Sequence, residues 1–335
     1  MSGVIEMAHG AGGRTMASLI NTVFRSAFDN PWLDRAEDHA VLANGEGRLA
    51  ITTDTYVISP LFFPGGDIGS LAVHGTINDL ATAGAKPLCL SAGYVIEEGF
   101  AVNDLQNIVA SMASAASAAG VAIVTGDTKV VERGKGDGVF VNTTGVGLVP
   151  VGLELSTGQI RPGDAVLVNG SLGDHGIAIM SKRSGLSFQS EIESDSAALH
   201  ELVDCMIDAA PGLRALRDPT RGGLSAALNE IAQSTGVGMR IRETDLPIRE
   251  AVRGACELLG LDPLNVANEG KMLAFCDPGD ARALLDAMRR HPLGRDAAII
   301  GEVTNDPRQF VELETGLGGR RVVDWIAGEQ LPRIC

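Results

Sequence analysis

Apolar residues recur at helical spacing from Met16 through Leu19, Ile20, Val23, Phe24, Ala27 and Phe28, which predicts a first helix. A hairpin follows: Glu37–Leu42, a turn at Asn44-Gly45-Glu46-Gly47, and a return strand over Arg48–Thr53 that runs into Asp54. Ile68–Ala85 reads as a helix of small and apolar residues, with Asp67 as its N-cap. Lys86–Glu97 predicts a strand and Asp104–Ala119 a helix with Leu105, Ile108, Val109 and Met112 on one face. Val121–Val124 predicts a short buried strand ending in Thr125-Gly126-Asp127-Thr128-Lys129. The glycine-bounded loop 134–138 then leads into a strand over Val139–Val149.

The polar, turn-rich stretch Pro150–Pro162 predicts a boundary, with domains at 1–152 and 153–325 and a flexible tail at 326–335. In the second half, strands are expected at Ala165–Val168, Val237–Arg242, Met272–Cys276, Ala297–Val303, Phe310–Glu314 and Arg321–Trp325. Helices are expected at Ile177–Lys182, from Asp218-Pro219 to about Ser234, and at Ile248–Leu259 and Asp280–Arg290. Asp218 and Pro219 fit the N-cap and N1 positions of their helix. A length of 335 residues makes two domains the natural division.

Composition narrows the function. Of 335 residues, 45% are hydrophobic, ordinary for a globular core, and the net charge of −15 argues against nucleic acid or an acidic membrane surface as partner. No apolar run is long enough to span a membrane. No basic segment followed by an apolar core marks a signal peptide. The five cysteines, Cys89, Cys205, Cys256, Cys276 and Cys335, form neither a C-x-x-C pair nor a zinc spacing, which fits a reducing cytoplasm. The 42 glycines point to tight turns and close backbone approach to a ligand.

Several residues then stand out chemically. Asp79 is the lone charged side chain in the helix Ile68–Ala85, and a buried carboxylate is expensive unless paired or bound to metal. The glycine-rich loop His9-Gly10-Ala11-Gly12-Gly13-Arg14 feeds a helix N-terminus, which suits an anion. Arg221, between a cap and two glycines, suits phosphate. The patterns of P-loops, nucleophile elbows, zinc proteases and EF-hands are absent. Asp38, Asp54, Asp79 and Asp218 are candidate magnesium ligands, and ATP held through Mg²⁺ would make a phosphoryl-transfer site without a P-loop. Pro332-Arg333-Ile334-Cys335 puts a thiol, the most nucleophilic side chain near neutral pH, on an arm with no helical or strand period.

The ordered set His9–Arg14, Thr53-Asp54, Phe62–Gly69, Gly75–Leu80, Gly126–Val131, Gly173–Gly176, Asp218–Gly223 and Pro332–Cys335 resembles the HypE family of hydrogenase maturation factors over the whole chain. More distantly it is similar to aminoimidazole ribonucleotide synthetase, selenophosphate synthetase and thiamine-phosphate kinase. The resemblance implies a two-domain α/β (α+β) fold of the aminoimidazole ribonucleotide synthetase type, whose N-terminal sheets pair across a homodimer, with ATP near that interface and a mobile C-terminal tail. It implies that a carbamoyltransferase, HypF, carbamoylates the terminal thiol, here Cys335. The protein then dehydrates the thiocarboxamide to a thiocyanate with ATP and Mg²⁺. The cyanide passes to iron on a HypC–HypD complex, for [NiFe]-hydrogenase.

By the same resemblance, Gly10, Ala11, Gly12, Gly13, Asp54, Asp79, Asp127, Thr128 and Arg221 are expected to hold nucleotide. Asp38, Asp54, Asp79 and Asp218 match the superfamily's Mg²⁺ acids. Glu269 is expected as the base that strips nitrogen protons, and Lys129 as the group that neutralises charge or orients the amide. A selenophosphate synthetase would carry a reactive Cys near the N-terminal loop, whereas the first here is Cys89. A non-catalytic nucleotide-binding scaffold carrying the carbamoyl group remains an alternative, since acidic and glycine-rich loops would serve binding equally.

Overall fold

The computed structural model describes residues 13–19, 21, 40–44, 47–185, 192–325 and 331–335. The predicted turn residues Gly45 and Glu46, most of the first helix, Gly10, Ala11, Gly12, Asp38 and tail residues 326–330 lie outside them.

The first sheet takes the strands β1 (Ala40–Asn44), β2 (Gly47–Tyr56), β5 (Lys86–Glu97), β6 (Ala122–Val131) and β7 (Val139–Val149) in the order β1-β2-β7-β5-β6. A short hairpin, β3 (Phe62–Phe63) with β4 (Gly66–Asp67), precedes helix α2 (Ile68–Thr82), and α3 (Val102–Ala118) follows β5; α1 is Gly13–Leu19. Buried and half-buried residues alternate along all of β7, the mark of an antiparallel strand with one face on a core. That core joins Tyr56, Leu90, Ala92 and Val141 of the sheet to Ile68, Leu71 and Ile77 of α2 and Ile108 and Met112 of α3. The opposite face is open: Ile51 and Val95 are exposed on it.

Asp67 caps α2 as expected. Its side chain accepts from Gly69 N at 2.6 Å and Ser70 N at 3.1 Å, and Ser70 returns a bond to the cap backbone.

β6 departs from expectation. It is a ten-residue edge strand, not a short buried one, and nearly every residue is exposed, Val124 and Val130 included. An apolar run predicts a strand but not whether both of its neighbours exist; among the described residues β6 pairs with β5 alone.

The second sheet has seven strands: β8 (Ala165–Val168), β9 (Leu213–Arg217), β10 (Gly238–Arg242), β11 (Leu273–Cys276), β12 (Ala298–Thr304), β13 (Val311–Glu314) and β14 (Arg320–Val322), ordered β14-β13-β10-β12-β8-β11-β9. Helices α4 (Asp174–Ser184), α5 (His200–Ala209), α6 (Gly223–Thr235), α7 (Glu250–Leu259) and α8 (Ala281–Arg290) surround it. Its central strands are buried on both faces. Val166, Val168, Leu273 and Phe275 pack toward α6, while Ala165, Leu167, Ala274 and Cys276 pack toward α5 and α8. Strand β9 and helix α5 carry no prediction from the sequence.

Asp218 is not a helix cap. α6 starts at Gly223, and its N-cap is Gly222 at φ 74°, a left-handed conformation open to glycine. Asp218 instead stays 8% exposed in the loop ahead of it.

Candidate active site

The loop between α7 and β11 places Glu269. Asn268 threads it: Oδ1 accepts from Gly173 N at 2.7 Å, and Nδ2 donates to Pro219 O at 2.9 Å. This brings the Gly173–Gly176 loop, the Asp218–Gly223 loop and Glu269 together. Asn169 takes the far side, accepting from Met272 N at 2.7 Å and donating to Gly270 O at 3.2 Å. From the first sheet's layer, Asn78 of α2 donates to Glu269 O at 3.1 Å and Ala197 O at 3.0 Å, and accepts from Leu199 N at 2.8 Å.

Beneath this loop Asp195 forms a buried ion pair with Lys271 at 2.7 Å and accepts from Glu269 N at 3.1 Å and Gly270 N at 3.2 Å. Position 270 must be glycine, because a Cβ there would lie 1.7 Å from Asp195 O.

Glu269 is 3% exposed, and among the described residues its Oε1 has no hydrogen-bond partner. Its proton is held well above the carboxylate range, first by burial and then by Asp54, Asp195 and Asp218, with Arg221 opposing. Asp54 and Asp79 reach the same region from β2 and α2. Thr52 Oγ1, on the same face of β2 as Asp54, donates to Asp79 Oδ2 at 2.8 Å. Tyr56, two residues beyond Asp54, has its phenol pushed up by burial, then by Asp54, Asp79 and Glu269.

The arm closes the site. Val57 N donates to Cys335 O at 3.1 Å and Ser59 N to Arg333 O at 3.2 Å, so the arm lies along the extension of β2. Ile334 is 3% exposed and joins the core around Tyr56, Ile58, Phe63 and Ile179. His175 reaches Ile334 O with Nε2 at 2.7 Å and Ser194 Oγ with Nδ1 at 2.7 Å. Burial lowers the pKa of His175, so the ring is neutral. Neutral imidazole donates from one nitrogen only, here from Nε2 to the carbonyl, and Nδ1 accepts from the serine. Arg333 donates to Val57 O at 2.8 Å and pairs with Asp137.

The thiol of Cys335 is pushed up to about 12 by burial, with Glu269, Asp54 and Asp218 adding to the shift and Arg221 opposing it. Burial outweighs the cation, so the docked thiol is protonated. Once ionised, Cys335 in turn holds the proton of Arg221 more tightly, and, after burial's opposing effect, so do Asp54 and Glu269.

The structure therefore brings together Cys335, Glu269, Arg221, Asp54, Asp79 and Asp218. It does not bring Asp127, Thr128 and Lys129 to them within one chain. They lie on the exposed strand β6, where Lys129 pairs with Asp127 at 2.7 Å. Gly13 starts α1, and Asp38 lies outside the described residues. Asn78, Asn169, Asp195 and His175 are the residues sequence reasoning did not assign. Asn78 had a signal, as a second polar side chain beside Asp79 in an apolar helix.

Among the described residues no three His, Cys, Asp or Glu stand close enough to hold a metal as placed. The donor set still fits Mg²⁺, which takes one or two carboxylates and completes its shell with phosphate and water. Burial comes first in raising Glu269, and the carboxylates of Asp54, Asp195 and Asp218 that add to it mark a negative centre that a divalent cation would relieve.

The chain matches the family described as AIR synthase related protein, its N-terminal domain over residues 36–149 and its C-terminal domain over residues 161–314. It is 61% identical over 334 residues to the carbamoyl dehydratase HypE of Azotobacter vinelandii, covering 100% of this chain and 98% of that one. The crystal structure of a HypE–HypF complex superposes with a TM-score of 0.88 at 48% identity, over 92% of this chain and 100% of the other. The crystal structure of the hydrogenase maturation protein HypE in complex with ATP superposes with a TM-score of 0.84 at 47% identity, over 99% and 100%.

Proposed function

Since this chain belongs to the AIR synthase related family and, within it, to the HypE carbamoyl dehydratases, we propose that it dehydrates a carbamoyl group carried on its own Cys335, with ATP and Mg²⁺, in hydrogenase maturation. The thiocarboxamide becomes a thiocyanate, ATP becomes ADP and phosphate, and the cyanide serves as ligand to the iron of [NiFe]-hydrogenase. The observation that carries this reading is the docked arm: Cys335 lies within the fields of Glu269, Arg221, Asp54 and Asp218.

The chemistry needs three things. An amide oxygen leaves poorly, and ATP supplies the phosphoryl group that lets it depart as phosphate. The two nitrogen protons must go to a base. Glu269 holds a proton tightly, so its carboxylate is a strong base, and its unpartnered Oε1 is the atom for the task. Negative charge must be balanced, and Arg221 faces the sulfur from within the site. Asp54, Asp79 and Asp218 would hold Mg²⁺, with Asp38 as a further ligand. The loop at Gly10, Ala11, Gly12 and Gly13 would cover the phosphates. Water is excluded as Ile334 seats in the core.

We assign Asp127, Thr128 and Lys129 their roles in a homodimer. Strand β6 presents a long exposed edge beside an open sheet face bearing Ile51 and Val95, surfaces that proteins ordinarily cover. In that arrangement residues 1–152 bind nucleotide and pair two chains, residues 153–325 complete the site, and 326–335 form the arm. HypF, found in complex with a relative, would be the carbamoyl donor, and a HypC–HypD complex the acceptor of cyanide. The setting would be cytoplasmic. Among the described residues no helix is long and apolar enough to cross a membrane.

Intact mass spectrometry on carbamoylated protein tests the reaction: Mg-ATP should remove the mass of one water from Cys335. ATP consumption with an unchanged mass would defeat the reading and leave a nucleotide-binding carrier.

A further inference from the structure

The last turn of α4 carries Lys182 and Arg183. Basic side chains there ordinarily serve the helix's own carbonyls and dipole. Arg183 turns elsewhere. Nη1 donates to Pro332 O at 2.7 Å, Nη2 to Arg333 O at 2.9 Å and Nε to Ser59 O at 3.0 Å. Ser59 N itself donates to Arg333 O, so one guanidinium spans both the arm and the segment it lies on. About two turns toward the N-terminus of the same helix, His175 holds Ile334 O. Helix α4 thus grips three successive carbonyls of the arm, through two side chains.

We propose that Arg183 is the latch of the arm, a positioning residue that sets how much of the time residues 332–335 lie docked with Cys335 in the site. The proposal rests on the reading of Cys335 as the modified residue. Three features favour a latch over a packing role. Arg183 is exposed, so truncating it opens no cavity in the core. Its bonds are charge-assisted and directed at main chain, so they tolerate any group attached to the sulfur. Bonds from Val57 and His175 and the burial of Ile334 remain without it, so its loss loosens the arm without abolishing docking.

The latch works between two demands of opposite sign. Dehydration needs the sulfur docked beside Glu269, whereas loading the sulfur from another protein needs it released. A docked equilibrium shifts only by the difference in interaction between the two states, and Arg183 supplies such a difference. Loosening it should therefore speed capture of the thiol and slow chemistry in the site, while general damage would slow both.

The test uses the full chain with Arg183→Ala and Arg183→Lys. Iodoacetamide is the probe, and labelling of Cys335 is followed by peptide mass spectrometry with exposed Cys205 as internal reference. Arg183→Ala should label Cys335 about tenfold faster, the effect of one charged hydrogen bond, with Cys205 unchanged and Arg183→Lys in between. Single-turnover dehydration of carbamoylated Arg183→Ala should fall by much less than labelling rises, because an arm that stays mostly docked loses little of its docked population, with the KM for ATP unchanged. Equal Cys335 labelling in wild type and Arg183→Ala, or a matching rise at Cys205, overturns the latch. The labelling arm needs no dehydration, so a chain that never dehydrates its thiocarboxamide, yet labels as predicted, keeps the latch and loses the dehydratase reading.

Discussion

Asp195 supports Glu269 from below: one carboxylate accepts Glu269 N at 3.1 Å while the charge it carries raises the Glu269 side chain's own pKa. Asp195 is itself held ionised: burial opposes the charge most strongly, and its neighbours together, Lys271 at 2.7 Å first among them, outweigh burial. Asp195→Asn should lower the pKa of Glu269 and move the acid limb of the dehydration pH–rate profile to lower pH. It should also leave Lys271 buried without its counter-charge, lowering stability by roughly 3–5 kcal/mol in denaturant titrations. An unmoved acid limb in folded protein would show that Asp195 does not tune the base.

Glu269→Gln should cut dehydration by at least about 100-fold with ATP binding retained, as loss of a general base does. Its effect on stability has the opposite sign. The folded pKa lies well above the ordinary 4.5, so the native chain keeps a proton that the unfolded chain releases, and stability falls as pH rises through that window. Glutamine has nothing to release. The variant should gain stability over wild type as pH rises from 4.5 upward, read as a growing difference in denaturation midpoint.

Cys335 follows the same rule at higher pH. Burial carries its thiol from the ordinary 9.0 up to about 12, so its contribution is complete below 9.0 and is lost as pH rises toward 12. Cys335→Ser should resist alkaline destabilisation in that range better than wild type. Parallel melting curves for the two proteins would show that the arm is not docked in solution.

Gly270→Ala places a Cβ 1.7 Å from Asp195 O and 3.2 Å from Ala197 N, with backbone on both sides. Neither can swing aside as a side chain would. The loop should open at a cost of roughly 3 kcal/mol or more, with dehydration lost together with stability. Thermal melting and single-turnover assays check this.

Thr52→Val keeps shape and removes the donor at 2.8 Å from Asp79 Oδ2. If Asp79 serves nucleotide through a cation, its orientation should loosen and Mg-ATP affinity fall about tenfold with little change in melting temperature. Calorimetry with and without Mg²⁺ separates this from a purely structural effect.

Much of the architecture was legible because its signals are local. Asp67 opens α2 through its own side chain, and Asp79 stood out as a lone charge in an apolar helix. The strand boundaries of β5 and β7 follow from residues within them. What escaped depends on distant neighbours. Val121–Val124 is apolar enough for an interior strand, and only the sheet order leaves β6 at an edge. Asp218-Pro219 has the letters of a cap, but the left-handed Gly222 next to α6 takes that place and frees the acid for the site. Asp195 sits in an acid- and serine-rich stretch with no period, and its burial arises from Lys271, 76 residues away. Arg183 looks like any basic residue ending a helix until the arm is beside it.

Asn78 makes three bonds to two segments with one amide: to the carbonyl of Glu269, and to the carbonyl of Ala197 and the N–H of Leu199. The two halves of the molecule are therefore not interchangeable cassettes. A chimera spliced between homologues near residues 150–162 would have to inherit a helix whose amide still matches the loop of the other parent. Recombination is expected to respect that bond before it respects the linker.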